Sequence, residues 1–446
     1  MFYLYKMTDS KKIEQAVLDQ LGFESLNDIQ QKTISVFSKK KDLLLLAPTG
    51  SGKTLAFLIP LLQLLDSNLN EVQALIIAPT RELALQIEKV FKSLKSQHKV
   101  TCCYGGHEMR VERNSLLSTP SLVIGTPGRL IDHLSKGNID LSHAKLVVLD
   151  EFDKSLELGF EDQIRDIFRF LPKSQRHILT SATPMDRLPE FVPQEKIEEL
   201  NFIGETEKNL LKQKVVYTTV KEKSDTILSL VSGFKGDPCI IFCNHRESVD
   251  RLSFFFKDYE FVPSTLHGGM DQAEREINLI KFRMGASNIL IATDLASRGL
   301  DIPEIKHVVH YQLPKQEDAY IHRNGRTARM NASGVSYLIL TQEEYLPRYI
   351  EEKPEEITPE ANAFLPVIPE YVCLYISAGK GDKISKGDIV GYLTKKGDIK
   401  GDAIGQIHIQ DKSSYVAIRK DLVDTVLQNV RNEKLKKTNV KIAVAR

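Results

Sequence analysis

The sequence predicts an α/β protein made of two parallel-sheet domains followed by a small C-terminal α+β domain. Three observations carry that expectation. Short apolar runs bounded by turn residues alternate with longer stretches of helical spacing, the pattern restarts after a lull, and a Pro- and Glu-rich stretch sets off a last, basic segment. Strands that alternate with helices need crossover connections, which makes the sheets parallel and places helices on both faces. At roughly 100–200 residues per domain, a chain of 446 residues suits two to four domains. With 42% hydrophobic and 27% charged residues it has material for several cores, which excludes collagen-like, disordered and disulfide-stapled classes.

In chain order, Leu43–Leu46, Ala74–Ala78, Leu122–Ile124, Leu146–Leu149 and His177–Leu179 are expected as buried strands, with helices over Glu82–Leu94 and Glu161–Phe170. A linker is expected around 201–214, with the domain boundary drawn between 1–205 and 206–350. The second sheet should hold Cys239–Cys243, Asn288–Ala292, His307–His310 and Val335–Leu340. Pro354, Pro359, Pro366 and Pro369 with a cluster of glutamates favour extended, solvated chain over 351–368. Beyond it, 369–446 reads as short strands between Gly-Asp turns, closed by one helix over Lys420–Asn432.

Net charge is +1, but from Pro369 onward 15 Lys+Arg face 9 Asp+Glu, a net of +6 that leaves −5 for residues 1–368. The five cysteines form no CxxC pair, and the eleven histidines show no HxxxH or HExxH spacing, so reduced thiols and no zinc site are expected. No run reaches the 18 or more apolar residues of a spanning helix, and Phe2–Tyr5 is too short for a signal-peptide core. A cytoplasmic monomer that does not enter membranes is expected.

Ala47-Pro48-Thr49-Gly50-Ser51-Gly52-Lys53-Thr54 follows a strand and opens an apolar helix. That context is a phosphate loop, with Ala47 in place of the first glycine. Backbone N–H groups at a helix start cradle phosphates, Lys53 neutralises their oxygens and Thr54 ligates Mg²⁺. Such a site needs a carboxylate for the metal and a means of activating water. The strand Leu146–Leu149 delivers both, Asp150 for Mg²⁺ and Glu151 as base or water-orienting group. The chemistry is nucleoside triphosphate hydrolysis. Charge on the γ-phosphoryl group should be met by arginines, and Arg323, Arg326 and Arg329 recur every third residue in the second domain, which has no phosphate loop; at that spacing they are expected to share one face of a helical turn. A site split between two domains would be complete only when they close.

Further segments extend the pattern: Pro79-Thr80-Arg81-Glu82-Leu83-Ala84, Gly105-Gly106, Thr126-Pro127-Gly128-Arg129, Asp150-Glu151-Phe152-Asp153, Ser181-Ala182-Thr183, Ile240-Ile241-Phe242, Ala292-Thr293-Asp294 and Arg298-Gly299-Leu300-Asp301. In this order, over roughly residues 5–345, they resemble the DEAD-box RNA helicases. The resemblance implies two RecA-like domains that clamp ATP and single-stranded RNA. It implies that Gln30, after Gly22-Phe23, reads adenine, that Tyr5 stacks upstream, and that Asp301 touches the nucleotide. Catalysis falls to Lys53, Asp150, Glu151, Arg326 and Arg329, while Ser181 and Thr183 link the ATP and RNA sites. Pro79, Thr80, Arg81, Gly106, Thr126, Arg129, Arg246, Gly269 and Thr293 fall in segments that grip the sugar-phosphate backbone. Leu26-Asn27, Phe152, Asn324 and Ala328 depart from the family's usual Pro-Thr, Ala, Ile and Gly.

In the tail, Leu374–Ile376 and Ser414–Ile418 sit where an RRM-type sheet has its central strands, with Tyr415 the one aromatic match. Spacing alone leaves RRM-like RNA binding and a structural module with core tyrosines both open. Gly381 through Gly391, with Gly405, Ile407, Ile409, Asp411 and Tyr415-Val416-Ala417, is similar to the RRM-like RNA-binding domain of DbpA-type bacterial helicases. That likeness implies recognition of a hairpin in large-subunit (23S) ribosomal RNA during ribosome assembly, with Lys380, Lys383, Lys386 and Arg419 as candidate contacts. Two alternatives stay open: a general cold-shock-type helicase, and a non-catalytic ATP-dependent RNA clamp.

Overall fold

A computed structural model describes residues 10–39, 41–48, 50–173, 175–184, 188–192, 197–203, 211–294, 305–327, 334–350, 352–360 and 365–445. The chain divides into two compact units near residue 210. Three expected site residues, Thr49, Asp301 and Arg329, lie outside the described residues, as does Tyr5.

The first unit holds strands β1 (Asp42–Leu46), β2 (Ala74–Ile77), β3 (Val100–Cys103), β4 (Leu122–Gly125), β5 (Leu146–Leu149), β6 (Arg176–Ser181) and β7 (Ile197–Asn201). They form one parallel sheet in the order β3-β4-β2-β5-β6-β1-β7. Its helices are α1 (Ser10–Leu21), α2 (Asp28–Ser38), α3 (Lys53–Leu64), α4 (Arg81–Ser93), α5 (Met109–Leu116), α6 (Pro127–Ser135), α7 (Phe152–Glu157) and α8 (Glu161–Phe168). Every residue of β1 is buried. The pleat explains why a run of leucines serves here: Leu43 and Leu45 face one core with α1–α4, while Leu44 and Leu46 face the other with α6 and α8.

The second unit repeats the plan. Strands β8 (Leu211–Thr218), β9 (Cys239–Cys243), β10 (Pro263–Leu266), β11 (Ile289–Thr293), β12 (His307–His310), β13 (Gly334–Thr341) and β14 (Glu355–Glu356) pair in parallel as β10-β11-β9-β12-β13-β8-β14. Helices α9 (Lys223–Ser232), α10 (Arg246–Asp258), α11 (Gln272–Arg283) and α12 (Glu317–Asn324) accompany them. Two expectations change here. Leu211–Lys214, expected as linker, opens β8 and pairs with β13 over its full length. Part of the supposedly solvated 351–368 stretch adds β14 to the sheet, and Ile357 packs on the second core.

The same unit carries the small domain. Its antiparallel sheet runs in the order β16-β17-β15-β20, from β15 (Tyr371–Ile376), β16 (Ile404–Ile409), β17 (Ser414–Arg419) and β20 (Ile442–Val444), so β15 and β17 are central as expected. Strands β18 (Lys434–Leu435) and β19 (Thr438–Asn439) form a hairpin. Helix α13 (Lys386–Lys395) takes in Gly387-Asp388, one of the expected Gly-Asp turns, and the last helix, α14 (Val423–Asn429), is shorter than expected. Among the described residues no helix is long and apolar enough to cross a membrane.

Candidate functional site

Parallel strands send all their C-terminal ends to one rim, where the chain turns into helices and ligands bind. In the first unit that rim carries the phosphate loop between β1 and α3. Gly52 caps α3 with φ of +93°, and a Cβ there would lie 2.7 Å from Gln30 Nε2. Only glycine suits both constraints. Gln30 is the third residue of α2 in a capping box: its side chain accepts from Asn27 N–H at 3.0 Å, and Asn27 accepts in return from Gln30 N–H. Asn27 Nδ2 also donates to Ser51 O at 2.9 Å, so this cap braces the loop. Asn27 therefore does here what a capping threonine does.

Lys53 is buried, its Nζ donating to Ala47 O at 2.5 Å and Pro48 O at 2.9 Å. The buried Ser51 hydroxyl has no protein partner among the described residues, as expected of a group set aside for a phosphate oxygen. Strand β5 then presents Asp150 and Glu151, both buried. Burial pushes the Asp150 carboxyl up from its usual range, against the Thr180 hydroxyl and the Lys53 ammonium, which pull it down. Thr180 joins the pair: its hydroxyl donates to Asp150 Oδ1 at 2.5 Å and accepts from Glu151 N–H at 3.1 Å. Glu151 is held at φ +47°, a left-handed conformation that is uncommon and costly for a non-glycine residue. Thr183 Oγ1 donates to Asp153 Oδ2 at 2.9 Å, and Ser181 Oγ donates to Thr183 O, so the Ser-Ala-Thr segment grips the acidic one. Thr180 had no signature in the sequence. Only the register that sets Leu149 beside Leu179 brings it to Asp150.

The expected RNA-contacting residues of this unit gather at neighbouring strand ends. Thr80 caps α4 through Leu83 N–H, and Thr126 precedes α6, which starts on Pro127. Arg81 Nη1 donates to Gly105 O at 3.3 Å, and at Gly106, φ +97°, a Cβ would strike that guanidinium. Arg129 donates to Tyr104 O at 3.0 Å and His107 O at 2.6 Å. Both arginines thus shape the Tyr104–His107 loop. Sequence reading missed the residue at the centre. Glu112 is buried, accepts from Tyr104 N–H at 2.7 Å and meets His133 Nε2 at 2.7 Å, His107 Nε2 at 3.2 Å and Arg129 Nε at 3.3 Å. Cys103, Glu112 and His133 bring three donor atoms within 4.8 Å of one another. The carboxylate is already surrounded by Arg129, two histidines and a backbone N–H, which leaves a cation no place.

In the second unit Arg246 opens α10, with Gly269 close beside it: a Cβ on Gly269 would lie 3.5 Å from Arg246 Cδ. Thr293 ends β11. The expectation that Arg323, Arg326 and Arg329 share one helical face is corrected at Arg323. Helix α12 ends at Asn324. Arg323 is 1% exposed and locked onto its own domain, donating to Asp294 at 2.6 and 2.8 Å, Gln312 O at 2.6 Å and Asn244 Oδ1 at 2.7 Å. Arg326 is buried just beyond the helix. In the small domain Lys383 and Lys386 are exposed, Arg419 forms a two-pronged pair with Asp421 at 2.7 and 2.9 Å, and Tyr415 is buried.

Three family profiles match in succession: DEAD/DEAH box helicase over residues 27–191, helicase conserved C-terminal domain over 222–331, and DbpA RNA binding domain over 373–444. The ATP-dependent RNA helicase DbpA of Escherichia coli is 32% identical over 431 residues, 94% of each chain. The chain belongs to the DEAD-box ATP-dependent RNA helicases. DbpA of Bacillus subtilis is 32% identical over 459 residues, covering 95% of this chain and 96% of its own. Among solved structures, S. cerevisiae Dbp5 bound to RNA and ADP BeF3 matches with a TM-score of 0.70 and 25% identity over 79% of this chain and 96% of that one. Mss116 bound to ssRNA and UDP-BeF gives 0.70 and 29%, over 79% of each chain.

Against that family the departures acquire physical roles. Phe152 in the DEAD segment fills the core of the first domain and leaves Asp150, Glu151 and Asp153 in place. Asn324 in the arginine segment accepts from Ser336 Oγ at 2.8 Å and meets His310 Nε2 at 3.1 Å, a buried polar pairing that an apolar residue would break. This DEAD-box helicase is an ATP-dependent RNA helicase with a DbpA-type RNA-binding domain.

Proposed function

We propose that this helicase opens short duplexes in large-subunit (23S) ribosomal RNA during ribosome assembly, anchored by its C-terminal domain. The observation that carries this reading is the match of residues 373–444 to the DbpA RNA binding domain, downstream of a complete pair of helicase domains. Backbone-gripping residues carry little base-sequence information, so the choice of RNA falls to the tail domain. Lys383 and Lys386 meet the RNA there, and Pro79, Thr80, Arg81, Gly106, Thr126, Arg129, Arg246, Gly269 and Thr293 hold the strand in the core.

Lys53 and the N–H groups of Gly50, Ser51 and Gly52 bind the triphosphate, Gln30 reads the adenine, and Glu151 orients the attacking water. The Thr54 hydroxyl and Asp150 carboxylate are hard oxygen donors that would hold Mg²⁺, which would supply charge neutralisation at the phosphates. Arg326 and Arg329 meet the charge that develops on the γ-phosphoryl group. Glu151→Gln is expected to keep ATP affinity while turnover falls by at least about 10²-fold, and Arg329→Ala to lose about 10³-fold. ATPase assays over a panel of RNAs test the whole reading. Large-subunit rRNA should stimulate far more than poly(A), and Lys383→Glu with Lys386→Glu should erase that difference. Equal stimulation by both RNAs would point to a general helicase, and RNA binding without phosphate release to a clamp.

A further inference from the structure

The pleat of the first sheet brings two polar residues onto one face. Val148 and Ile178 join the core with α1–α4, while Leu149 and Leu179, paired across β5 and β6, join the other core. One residue further on, Asp150 and Thr180 return to the first face, where Ala47 and α3 carry the phosphate loop. Thr180 is fully buried, and its hydroxyl is engaged twice. Its single proton goes to Asp150 Oδ1 at 2.5 Å, the length of a bond to a carboxylate, and a lone pair accepts from Glu151 N–H at 3.1 Å. One oxygen atom on β6 thus ties a side chain and a backbone group of consecutive residues.

The backbone group matters because a residue at φ +47° stays there only where its surroundings over-determine it. Thr180 supplies one restraint on Glu151. The N–H groups of Lys154 and Ser155, which donate to Glu151 O at 3.0 and 3.1 Å, supply two more. On the opposite flank Asp150 N–H donates to Ile77 O at 3.0 Å, so β2 and β6 hold the acidic turn between them. The same end of β6 also holds the phosphate loop. Ser181 O accepts from Ala47 N–H at 3.0 Å, and Lys53 Nζ donates to Ala47 O at 2.5 Å. Two adjacent residues of one strand, Thr180 and Ser181, fix the acidic pair and the loop against each other.

We propose that Thr180 is a positioning residue for ATP hydrolysis: its hydroxyl holds the Asp150 carboxylate in place for a divalent cation and holds the Glu151 backbone so that the glutamate meets the attacking water. Thr180 acts through those two residues, so the proposal rests on the reading of Asp150 as metal ligand and Glu151 as water-orienting group. A valine would fill the same space and pack on the same core, which makes the hydroxyl, rather than the bulk, the part that serves catalysis.

Three variants of the full chain separate hydroxyl from bulk: Thr180→Val loses the hydroxyl, Thr180→Ser keeps it, and Thr180→Cys offers only a weak donor. With poly(A) and saturating ATP, Thr180→Val is expected to lower kcat by at least about tenfold. Mn²⁺ added with ADP and followed by electron paramagnetic resonance should bind that variant at least about tenfold more weakly. Poly(A) affinity should stay within about twofold, and Thr180→Ser should bring turnover and Mn²⁺ binding back to within about threefold of the parent. Parent-like turnover or Mn²⁺ binding in Thr180→Val overturns the proposal, as does a serine variant no better than the valine one. Should the valine variant fail to fold, Thr180→Cys read against Thr180→Ser gives the same decision. Asp150→Asn and Glu151→Gln test the reading beneath. Parent-like Mn²⁺ binding in the first, or turnover in the second, removes that reading and this proposal with it. Losses in both beside a parent-like Thr180→Val overturn the role of Thr180 alone.

Discussion

The guanidinium of Arg323 touches three chain segments at once: Asp294 after β11, Gln312 after β12 and Asn244 after β9. Spacing in the sequence groups it with Arg326 and Arg329, because a period of three reads as a shared helical face. What holds Arg323 in place is tertiary. Arg323 sits on the last turn of α12, beneath the strand ends, where a five-donor fork satisfies acceptors from several loops. Arg323→Ala removes the buried fork that joins Asp294, Gln312 and Asn244 and is expected to cost about 3–5 kcal/mol of folding stability, read as a lowered urea midpoint. Arg323→Lys should recover only part, since one ammonium cannot span the three segments. Glu112 makes the same point in the first domain. Nothing in its helix marks it, yet the Tyr104–His107 loop and Arg129 are arranged around it.

Among elements, strands with uniform apolar runs were legible: β5, β9 and β12 begin and end where the hydrophobic pattern does. The expectation failed where burial is one-sided or brief. Val100–Cys103 and Ile197–Asn201 are short edge strands of mixed polarity, and β8 runs through Lys212-Gln213-Lys214 before its apolar Val215-Val216. Gly387 and Gly391 hide α13, because glycine lowers helix propensity by about 1 kcal/mol relative to alanine. Its capping box offsets that: Ser385 accepts from Asp388 N–H, and Asp388 accepts from Ser385 N–H. A capping box is a four-residue signal, Ser385 to Asp388, easily lost in a run of Gly-Asp pairs. The cap of α2 has a functional reach as well. Asn27→Ala should lower stability by about 1 kcal/mol and, by freeing Ser51 O, raise the KM for ATP more than it lowers kcat. Equal KM in variant and parent would sever the cap from the phosphate loop.

For the molecule, a buried histidine ties the stability of the second unit to pH. His310 is wholly buried, and burial together with Arg323 holds its imidazole down at about 3 from an ordinary 6.5. Between those values the unfolded chain takes up a proton that the folded one refuses, so stability of the second unit is full above 6.5 and falls as pH drops toward 3. His307 is shifted the same way by burial. Urea midpoints between pH 7.5 and 4.5 should decline, and His310→Gln should flatten the slope. Strand β8 carries one more consequence. Two residues of β14 shield an eight-residue strand, and among the described residues most of its outer hydrogen-bonding row is bare of a neighbour. Lys212, beyond the shielded pair, and Lys214, within it, stand along that margin, the charge by which natural proteins deter a foreign chain from zipping on. Neutralising those two ammonium groups would turn a guarded border into a seed for ordered aggregates.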